Sequence, residues 1–225
     1  MDERIAIAVV LFYGYLLGSV PMSYVTGRLV KGIDLRKVGS GTVGASNVWY
    51  HVGHAWIFPV SVFDVFVKGM TPALLARAFD LDLGPQVWAS LLAIVGHNWP
   101  LFLKFQGGRG IAPTVGVLLS MGRLELAVFL VITTAGWKLV QSSAVWVLIA
   151  FTSLPLLAIW WNRPSEIISL MVGILLVTIS KRLASNSLRP DGVTFPRLIL
   201  NRLFFDRDIA DHDAWIKRNA GSEVR

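Results

Sequence analysis

Apolar stretches of membrane-spanning length alternate with short charged clusters along most of the 225 residues. A helix needs roughly 20 apolar residues to cross the ~30 Å hydrocarbon core of a bilayer. Hydrophobic residues make up 54% of the chain, and charged residues make up only 16%, whereas soluble domains carry roughly 25% charge. The chain is therefore predicted to be a membrane protein rather than a soluble globule.

Seven of these stretches are predicted to be transmembrane helices, at residues 5–26, 54–76, 85–103, 111–122, 124–137, 143–161 and 166–180. The fourth and fifth are short, and only Gly122 and Arg123 separate them. We expect a tight hairpin of short helices there, with six spans as the alternative. The predicted fold class is all-α: a polytopic membrane helix bundle of about seven short transmembrane helices with glycine-rich cytoplasmic loops.

The distribution of basic residues predicts the orientation of the bundle. With the N-terminus outside, sixteen of the 21 Lys and Arg residues lie on the inner side and four lie on the outer side. Cytoplasmic loops carry the excess of Lys and Arg in membrane proteins. We therefore expect the N-terminus outside and the C-terminus in the cytoplasm. Arg163 is then an outer cation, and its replacement is expected to be silent.

Residues 1–182 are predicted to form the membrane-embedded domain, and residues 183–225 a basic cytoplasmic tail. That tail is either an amphipathic segment on the lipid surface or a solvated extension. The net charge of +7 is expected of loops that face anionic lipid, so membrane lipids are the predicted partners and nucleic acid is not. The absence of cysteine excludes disulfides, thiol nucleophiles and thiolate metal sites.

The first inner loop carries three glycines, Gly39, Gly41 and Gly44, among hydroxyl and amide side chains. Their spacing matches a dinucleotide fingerprint only formally, because no strand precedes them. Closely spaced glycines let backbone N–H groups converge on an anion, and neutral side chains such as Ser40 and Asn47 add hydrogen bonds. This loop is predicted to bind phosphate, and a simple connection between spans is the alternative.

The second inner loop contains Lys104, Gly107, Gly108 and Arg109. Under the predicted topology it emerges on the same face as the first loop. Two cations that flank a pair of glycines can offer a phosphate both charge and backbone donors. We therefore predict one phosphate site built from both loops, and anchoring of the spans to lipid headgroups is the alternative.

Asp64 and Lys68 lie within the second span, four residues apart, where they can pair on one helical face. Charged residues inside a membrane usually line a polar cavity, and a purely structural ion pair is the alternative. His97 is a further candidate for the cavity wall. His51, His54 and His97 offer no complete ligand set, so no metal ion is expected.

The segments around these residues resemble one family, the PlsY-type acyl-phosphate:glycerol-3-phosphate acyltransferases, which are integral membrane enzymes of bacterial phospholipid synthesis. The likeness covers residues 15–21, 32–48, 64–72 and 96–112, and the hydrophobic pattern extends it to about residue 182. The resemblance implies a multi-pass protein of the bacterial plasma (inner) membrane whose motif loops face the cytoplasm.

The resemblance also implies the reaction, in which a fatty acyl group passes from acyl phosphate to the 1-hydroxyl of glycerol 3-phosphate and gives lysophosphatidate. It implies no cofactor. The substrate's own phosphate would accept the hydroxyl proton, so no catalytic residue is assigned. The implied substrate- and phosphate-binding residues are Ser40, Gly41, Asn47, Lys104, Gly107, Gly108, Arg109, Ser142 and Lys181.

Some positions differ from the family pattern. Tyr50 stands where an Arg is usual, Gln106 stands where a Lys is usual, and residues 181–184 replace a His-Arg-x-Asn motif. In that motif, Lys181 is expected to take over from the missing imidazole as a phosphate clamp. Two alternative functions follow: acylation of another acceptor in a less basic pocket, and a non-catalytic protein that binds lipid headgroups or phosphate. The oligomeric state is not implied.

Overall fold

The computed structural model describes residues 2–140, 143–186, 193–209, 211 and 215. Within these residues every regular element is helical, which confirms the predicted all-α class. The helices are α1 (Glu3–Ser19), α2 (Met22–Lys31), α3 (Ala45–His51), α4 (Ile57–Val62), α5 (Thr71–Ala78), α6 (Leu83–Asn98), α7 (Ile111–Met121), α8 (Arg123–Val140), α9 (Ser143–Trp160), α10 (Ser165–Leu183) and α11 (Phe195–Phe205). A π-helix, Phe63–Met70, joins α4 to α5.

Each predicted span corresponds to a helical segment. The segments Glu3–Lys31 and His54–Ala78 are long and apolar enough to cross a membrane. The first predicted span, 5–26, is interrupted, because α1 ends at Ser19 and α2 begins after Pro21. Proline has no backbone N–H to continue a helix, which explains the break. The predicted tight junction is present, since α7 ends at Met121 and α8 begins at Arg123.

The outer surface of the bundle is apolar. Large side chains such as Phe12, Phe58, Trp88 and Leu156 are exposed, as expected of groups that face lipid. The main apolar core lies between α6, α7, α8, α9 and α10. Polar side chains are buried inside the same bundle, so its interior is less uniformly apolar than its surface.

Small residues bring α1 and α6 into direct backbone contact. A Cβ on Gly14 would collide with the carbonyl oxygen of Ala89, and one on Gly18 would collide with that of Ala93. Gly96 meets the backbone of α1 in the same way. Such seams are typical of membrane helices, because lipid gives no hydrophobic drive for association and close packing must supply the attraction.

A second seam joins the π-helix to α7. A Cβ on Gly69 would collide with Pro113, and one on Gly116 would collide with the carbonyl oxygen of Val65. The wider π turn brings Asp64 and Lys68 to the interior, where both are almost fully buried. This seam therefore fixes the position of the two intramembrane charges.

Arg163 is not the free outer cation that the sequence predicts. Its Nε lies 2.9 Å from Oε1 of Glu125, whose side chain is completely buried, and its Nη2 donates to the carbonyl of Met121. Removal of one partner of a buried ion pair leaves an uncompensated charge. The expectation of a silent replacement is therefore wrong for this residue. Without Arg163, the buried carboxylate of Glu125 would lose its ion-pair partner, and the protein would lose stability.

The tail does not stay apart from the bundle. Arg182, in the last turn of α10, donates from Nη1 to the carbonyl of Leu203 at 2.6 Å and from Nη2 to the carbonyl of Ala144 at 2.7 Å. These two bonds connect α10 with α11 and α9. Helix α11 therefore lies against the end of the bundle from which both glycine-rich loops emerge.

Candidate phosphate-binding site

The two glycine-rich loops meet at this end of the bundle. The backbone N–H of Val43 in the first loop donates to the carbonyl of Gly107 in the second, at 3.4 Å. The side-chain amide of Asn186, which follows α10, donates to the carbonyls of Gly41 and Gly107 at 3.2 and 2.9 Å. Loops that lie some 65 residues apart in the sequence therefore form one unit.

The loop glycines serve close packing. A Cβ on Gly107 would collide with the carbonyl of His97, one on Gly108 with the His97 ring, and one on Gly39 with the His51 ring. Gly41 takes a positive φ of 67°, a conformation that L-residues rarely adopt. These positions therefore need glycine whether or not an anion is bound.

Several backbone N–H groups of the loops already have acceptors. Gly41 donates to the carbonyl of Val38, Gly108 donates to that of His97, and Thr42 donates to Oγ of Ser40. The sequence predicted that such amides would converge on phosphate. In this arrangement these three N–H groups hold the loops in shape, so they are not available to an anion.

Side chains also stabilise the first loop internally. The amide nitrogen of Asn47 donates to the carbonyls of Leu35, Val38 and Thr42 at 2.9 to 3.1 Å. The side chain of Asn47 therefore stabilises the loop through its amide nitrogen, and its Oδ1 is the atom that could contact a ligand.

Arg36, a cation of the first loop, is compensated by a neighbouring carboxylate. Arg36 holds both carboxylate oxygens of Asp34, at 3.0 and 2.8 Å. This side-chain hydrogen bond lowers the pKa of Asp34 below its usual value, against the opposing effect of burial. Arg36 therefore contributes little free positive charge, and the charge of the site must come from the second loop and from α10.

A cavity of about 720 Å³ opens beside the two loops, within the range of small-ligand sites. Polar groups from the first loop line it together with apolar side chains, among them Ile111, Val115 and Val147. The polar, charged and aromatic residues of the lining include Ser40, Thr42, Asn47, Tyr50, Asp64, His97, Arg109, Arg182, Phe205, Asp206, Arg207 and Trp215. Its mixed lining suits an amphiphile with an anionic head.

Arg109 is the cation of the second loop that reaches the cavity. Its Nε lies 3.1 Å from Oδ1 of Asp206, its Nη1 donates to the carbonyl of Lys181 at 3.1 Å, and its Nη2 donates to the carbonyl of Asp206 at 3.4 Å. Its side chain is 13% exposed. The guanidinium is therefore held at the cavity wall by α10 and by the tail.

Lys181 and Arg182 place further positive charge beside Arg109. Lys181 is 1% exposed, its ammonium donates to Oδ1 of Asn186 at 2.9 Å, and it lies 5.3 Å from the centre of the Trp99 ring. Arg182 is buried and lines the cavity. The end of α10 therefore gives the site two nearly desolvated cations.

Asp206 is the anion within this cluster of cations. Burial raises the pKa of its carboxyl above the usual value, although Arg109, Arg182 and Lys181 act in the opposite direction. The residue ends α11 with a positive φ of 54°, which directs the following chain back towards the bundle. Asp206 is thus the tail residue that contacts Arg109, the residue predicted to bind phosphate.

The intramembrane charges predicted to line the cavity form a connected group. Nζ of Lys68 lies 2.7 Å from Oδ1 of Asp64 and 3.4 Å from Nδ1 of His97. Asp64 and His97 line the cavity, while Lys68 faces a narrow cleft next to it.

The other predicted residues are placed differently. Lys104 is exposed on a turn and is absent from the cavity wall of the described residues. Gly107 and Gly108 are buried beneath the wall, in contact with His97. Ser142 lies outside the described residues. Of the predicted binding residues, Ser40, Asn47 and Arg109 line the cavity itself.

Sequence reasoning missed Asn186 and the tail residues. Asn186 contacts both loops and Lys181 at once, yet it lies 79 residues from Gly107 and 145 from Gly41. No spacing rule connects positions at such separations. An Asn shortly after a basic pair at the end of a membrane helix was the only available signal.

For the acyl transfer that the resemblance implies, we expect Asn186→Ala to lower kcat/KM about tenfold with little change in melting temperature. The reason is that the two loops and Lys181 lose a common partner, whose contribution is about that of one strong hydrogen bond. Steady-state kinetics in detergent measure this effect. Asn186→Asp is the matched variant, since it keeps the acceptor for Lys181 and loses both donors to the loops. Wild-type kinetics for Asn186→Asp would contradict a role for the loop bridge.

The comparisons with known proteins agree with this architecture. The family model described as glycerol-3-phosphate acyltransferase matches residues 8–189. "Glycerol-3-phosphate acyltransferase 5" of Dehalococcoides mccartyi is 39% identical over 214 residues, covering 92% of this chain and 91% of the relative. A glycerol-3-phosphate acyltransferase of Prochlorococcus marinus is 36% identical over 175 residues, covering 75% of this chain and 87% of the relative.

Two solved structures share the fold. Both are of PlsY (YgiH), described as an integral membrane glycerol 3-phosphate acyltransferase. The glycerol 3-phosphate form is 27% identical with a TM-score of 0.75, and the lysophosphatidic acid form is 25% identical with a TM-score of 0.72. Each covers 90% of this chain, which covers 94% of each of them. This chain is a multi-pass membrane protein that belongs to the glycerol-3-phosphate acyltransferase family.

Proposed function

We propose that this protein transfers a fatty acyl group from acyl phosphate to the 1-hydroxyl of glycerol 3-phosphate. The hydroxyl oxygen attacks the acyl carbonyl carbon, an ester bond forms, and the bond between the acyl carbon and the phosphate oxygen breaks. The departing phosphate takes the hydroxyl proton, so the products are lysophosphatidate and inorganic phosphate. The protein supplies binding, orientation and charge.

The cavity beside Arg109 is the observation that carries this proposal. Arg109, Lys181 and Arg182 provide positive charge where both substrates carry phosphate, and Ser40 and Thr42 form a hydroxyl pair 2.7 Å apart on the same wall. Hydrogen bonds from charged donors are the stronger ones and stabilise the developing charge on the leaving phosphate. The apolar part of the cavity lining suits the acyl chain.

The testing experiment uses palmitoyl phosphate with purified protein in detergent or lipid. We expect release of inorganic phosphate only when glycerol 3-phosphate is present, with lysophosphatidate appearing in equal amount. Release that ignores the acceptor would indicate hydrolysis or a different acceptor. Binding of glycerol 3-phosphate without turnover would indicate the non-catalytic alternative.

Acylation of another acceptor is the second candidate, and Tyr50 favours it. Its phenol lines the cavity wall at a position where the resemblance implies an arginine. A neutral ring there lowers the positive charge available to the acceptor. The same assay with glycerol, dihydroxyacetone phosphate and glycerol 3-phosphate in parallel distinguishes the two candidates.

The proposal places the site on the cytoplasmic side of the bacterial inner membrane, supported by the excess of basic residues on that side. Because the chain has no native cysteine, single cysteines report on the topology. Lys37 and Asp82 are exposed and lie in connections on opposite sides of the predicted topology. In intact spheroplasts an impermeant thiol reagent should label Asp82→Cys and spare Lys37→Cys until the membrane is opened. The reverse pattern would contradict the orientation.

A further inference from the structure

The tail contributes to the cavity although it lies beyond the region that the family model matches. That region ends at residue 189. Phe205, Asp206, Arg207 and Trp215 all line the cavity. The site of this chain is therefore completed by a segment beyond the residues that the family model matches.

The contact between Asp206 and Arg109 is the central feature of this segment. The carboxylate meets Nε at 3.1 Å, and the backbone carbonyl of the same residue accepts from Nη2 at 3.4 Å. The carbonyls of Lys181 and Asp206 thus accept from Nη1 and Nη2, and the carboxylate lies beside Nε as an ion-pair partner. A phosphate that bound Arg109 through two N–H groups would need at least one of these positions.

Of these acceptors, Asp206 is the one that a phosphate could displace from Arg109 most easily. Lys181 lies within α10, and its carbonyl is part of the helix backbone, so that acceptor cannot move far. Asp206 follows the last turn of α11 in the left-handed conformation, which costs a residue with a side chain about 1 kcal/mol or more. A carboxylate also resembles phosphate in charge and in its geometry of hydrogen bonding to arginine.

The charge balance favours the same exchange. Without an anion, the cations of Arg109, Lys181 and Arg182 would repel one another in a poorly hydrated place. Asp206 supplies one negative charge, and a phosphate supplies nearly two at neutral pH. Both anions together would crowd negative charge against the same guanidinium, so binding of one disfavours the other.

We propose that Asp206 is an exchangeable counter-ion of Arg109, which occupies the guanidinium in the empty site and is displaced by a substrate phosphate. This inference rests on the proposed phosphate-binding role of Arg109. Asp206 then determines how tightly the site holds phosphate, because the ligand must compete with a tethered carboxylate. A binding site that is open for a tenth of the time shows about tenfold weaker apparent affinity.

The experiment compares full-length wild type with Asp206→Asn, which keeps the size of the side chain and removes its charge. The readouts are the Kd of inorganic phosphate by calorimetry and the KM for glycerol 3-phosphate. We expect both to fall about tenfold in Asp206→Asn, with kcat retained. Asp206→Glu should keep the competing charge and stay close to wild type.

Asp208→Asn is the matched control. Asp208 lies two residues further along, is buried, and pairs with Arg202 at 2.7 Å. Its replacement also perturbs the tail without touching Arg109, so the Kd of phosphate should stay at the wild-type value. Equal tightening in Asp208→Asn would show that loosening the tail, rather than the Asp206 charge, is responsible, and this would overturn the inference.

Two other results would also overturn it. Weaker phosphate binding in Asp206→Asn would show that the carboxylate positions Arg109 for the ligand, and an unchanged Kd would show that phosphate does not compete with it. Melting temperatures of all variants check that the fold is intact. Acceptor-dependent turnover by wild type tests the proposed function separately, so either idea can fail while the other stands.

Discussion

Replacement of Arg109 by alanine is expected to lower kcat/KM by about 100-fold or more while the bundle stays folded. Two charge-assisted hydrogen bonds to phosphate are each worth about 1.5–3 kcal/mol, and 1.4 kcal/mol corresponds to a factor of ten. Phosphate release from palmitoyl phosphate in the presence of glycerol 3-phosphate measures the loss. Melting temperature in the same detergent separates this loss from unfolding.

Arg109→Lys distinguishes charge from geometry. Because α10 and the tail already hold the guanidinium, its charge is a large part of what it offers to a ligand, and lysine should retain measurable activity. Lys31→Ala is the control, since this cation is exposed at the end of α2. If Arg109→Ala and Lys31→Ala both turn over like wild type at matched expression, the loop only anchors the helices and the site lies elsewhere.

Replacement of Asp64 by alanine is expected to destabilise the protein by about 3–5 kcal/mol, the usual cost of removing one partner of a buried ion pair. The ammonium of Lys68 would stay at 1% exposure, with Nδ1 of His97 at 3.4 Å as its polar neighbour in the described part of the chain. Thermal unfolding in detergent measures the loss. Single variants as stable as wild type would contradict this expectation.

The double variant Asp64→Leu with Lys68→Met tests whether this ion pair is structural or contributes to activity. Apolar residues of similar volume often replace a buried ion pair without loss of stability. We expect the double variant to recover most of the stability that the single variant loses. Retained activity would make the pair purely structural, and a stable but inactive protein would show that the charges contribute to the cavity.

Hydropathy was sufficient to predict the helical bundle, because each membrane span must be long, apolar and internally hydrogen-bonded. Hydropathy did not predict the local features that depend on tertiary contacts, such as the π turn and the partners of buried charges. The π turn at Asp64 depends on how Gly69 meets α7, and a single sequence does not reveal that neighbour. The partner of Arg163, Glu125, was hidden for the same reason.

The site was predicted in part. Ser40, Asn47 and Arg109 were found because glycine-rich loops with hydroxyls and cations have a recognisable chemistry, and all three line the cavity. The close packing of the glycines could not be predicted, because it depends on the rings of His51 and His97 and on backbone acceptors that only the fold brings near. Asp206 could not be found, because it lies 97 residues from Arg109. The pattern of the tail predicted either a segment on the lipid surface or a solvated extension, and neither implies a contact with the site.

The fit of Gly107 and Gly108 against His97 also sets how selectivity can change. Both glycines lie beneath the cavity wall and touch backbone atoms and the His97 ring, and no shorter side chain exists that would make more room there. Any side chain added at Gly107 or Gly108 can therefore only displace the wall that lies above them. An enzyme with this construction should acquire a bulkier acceptor through changes in Tyr50 or the tail, while the loop floor stays as it is.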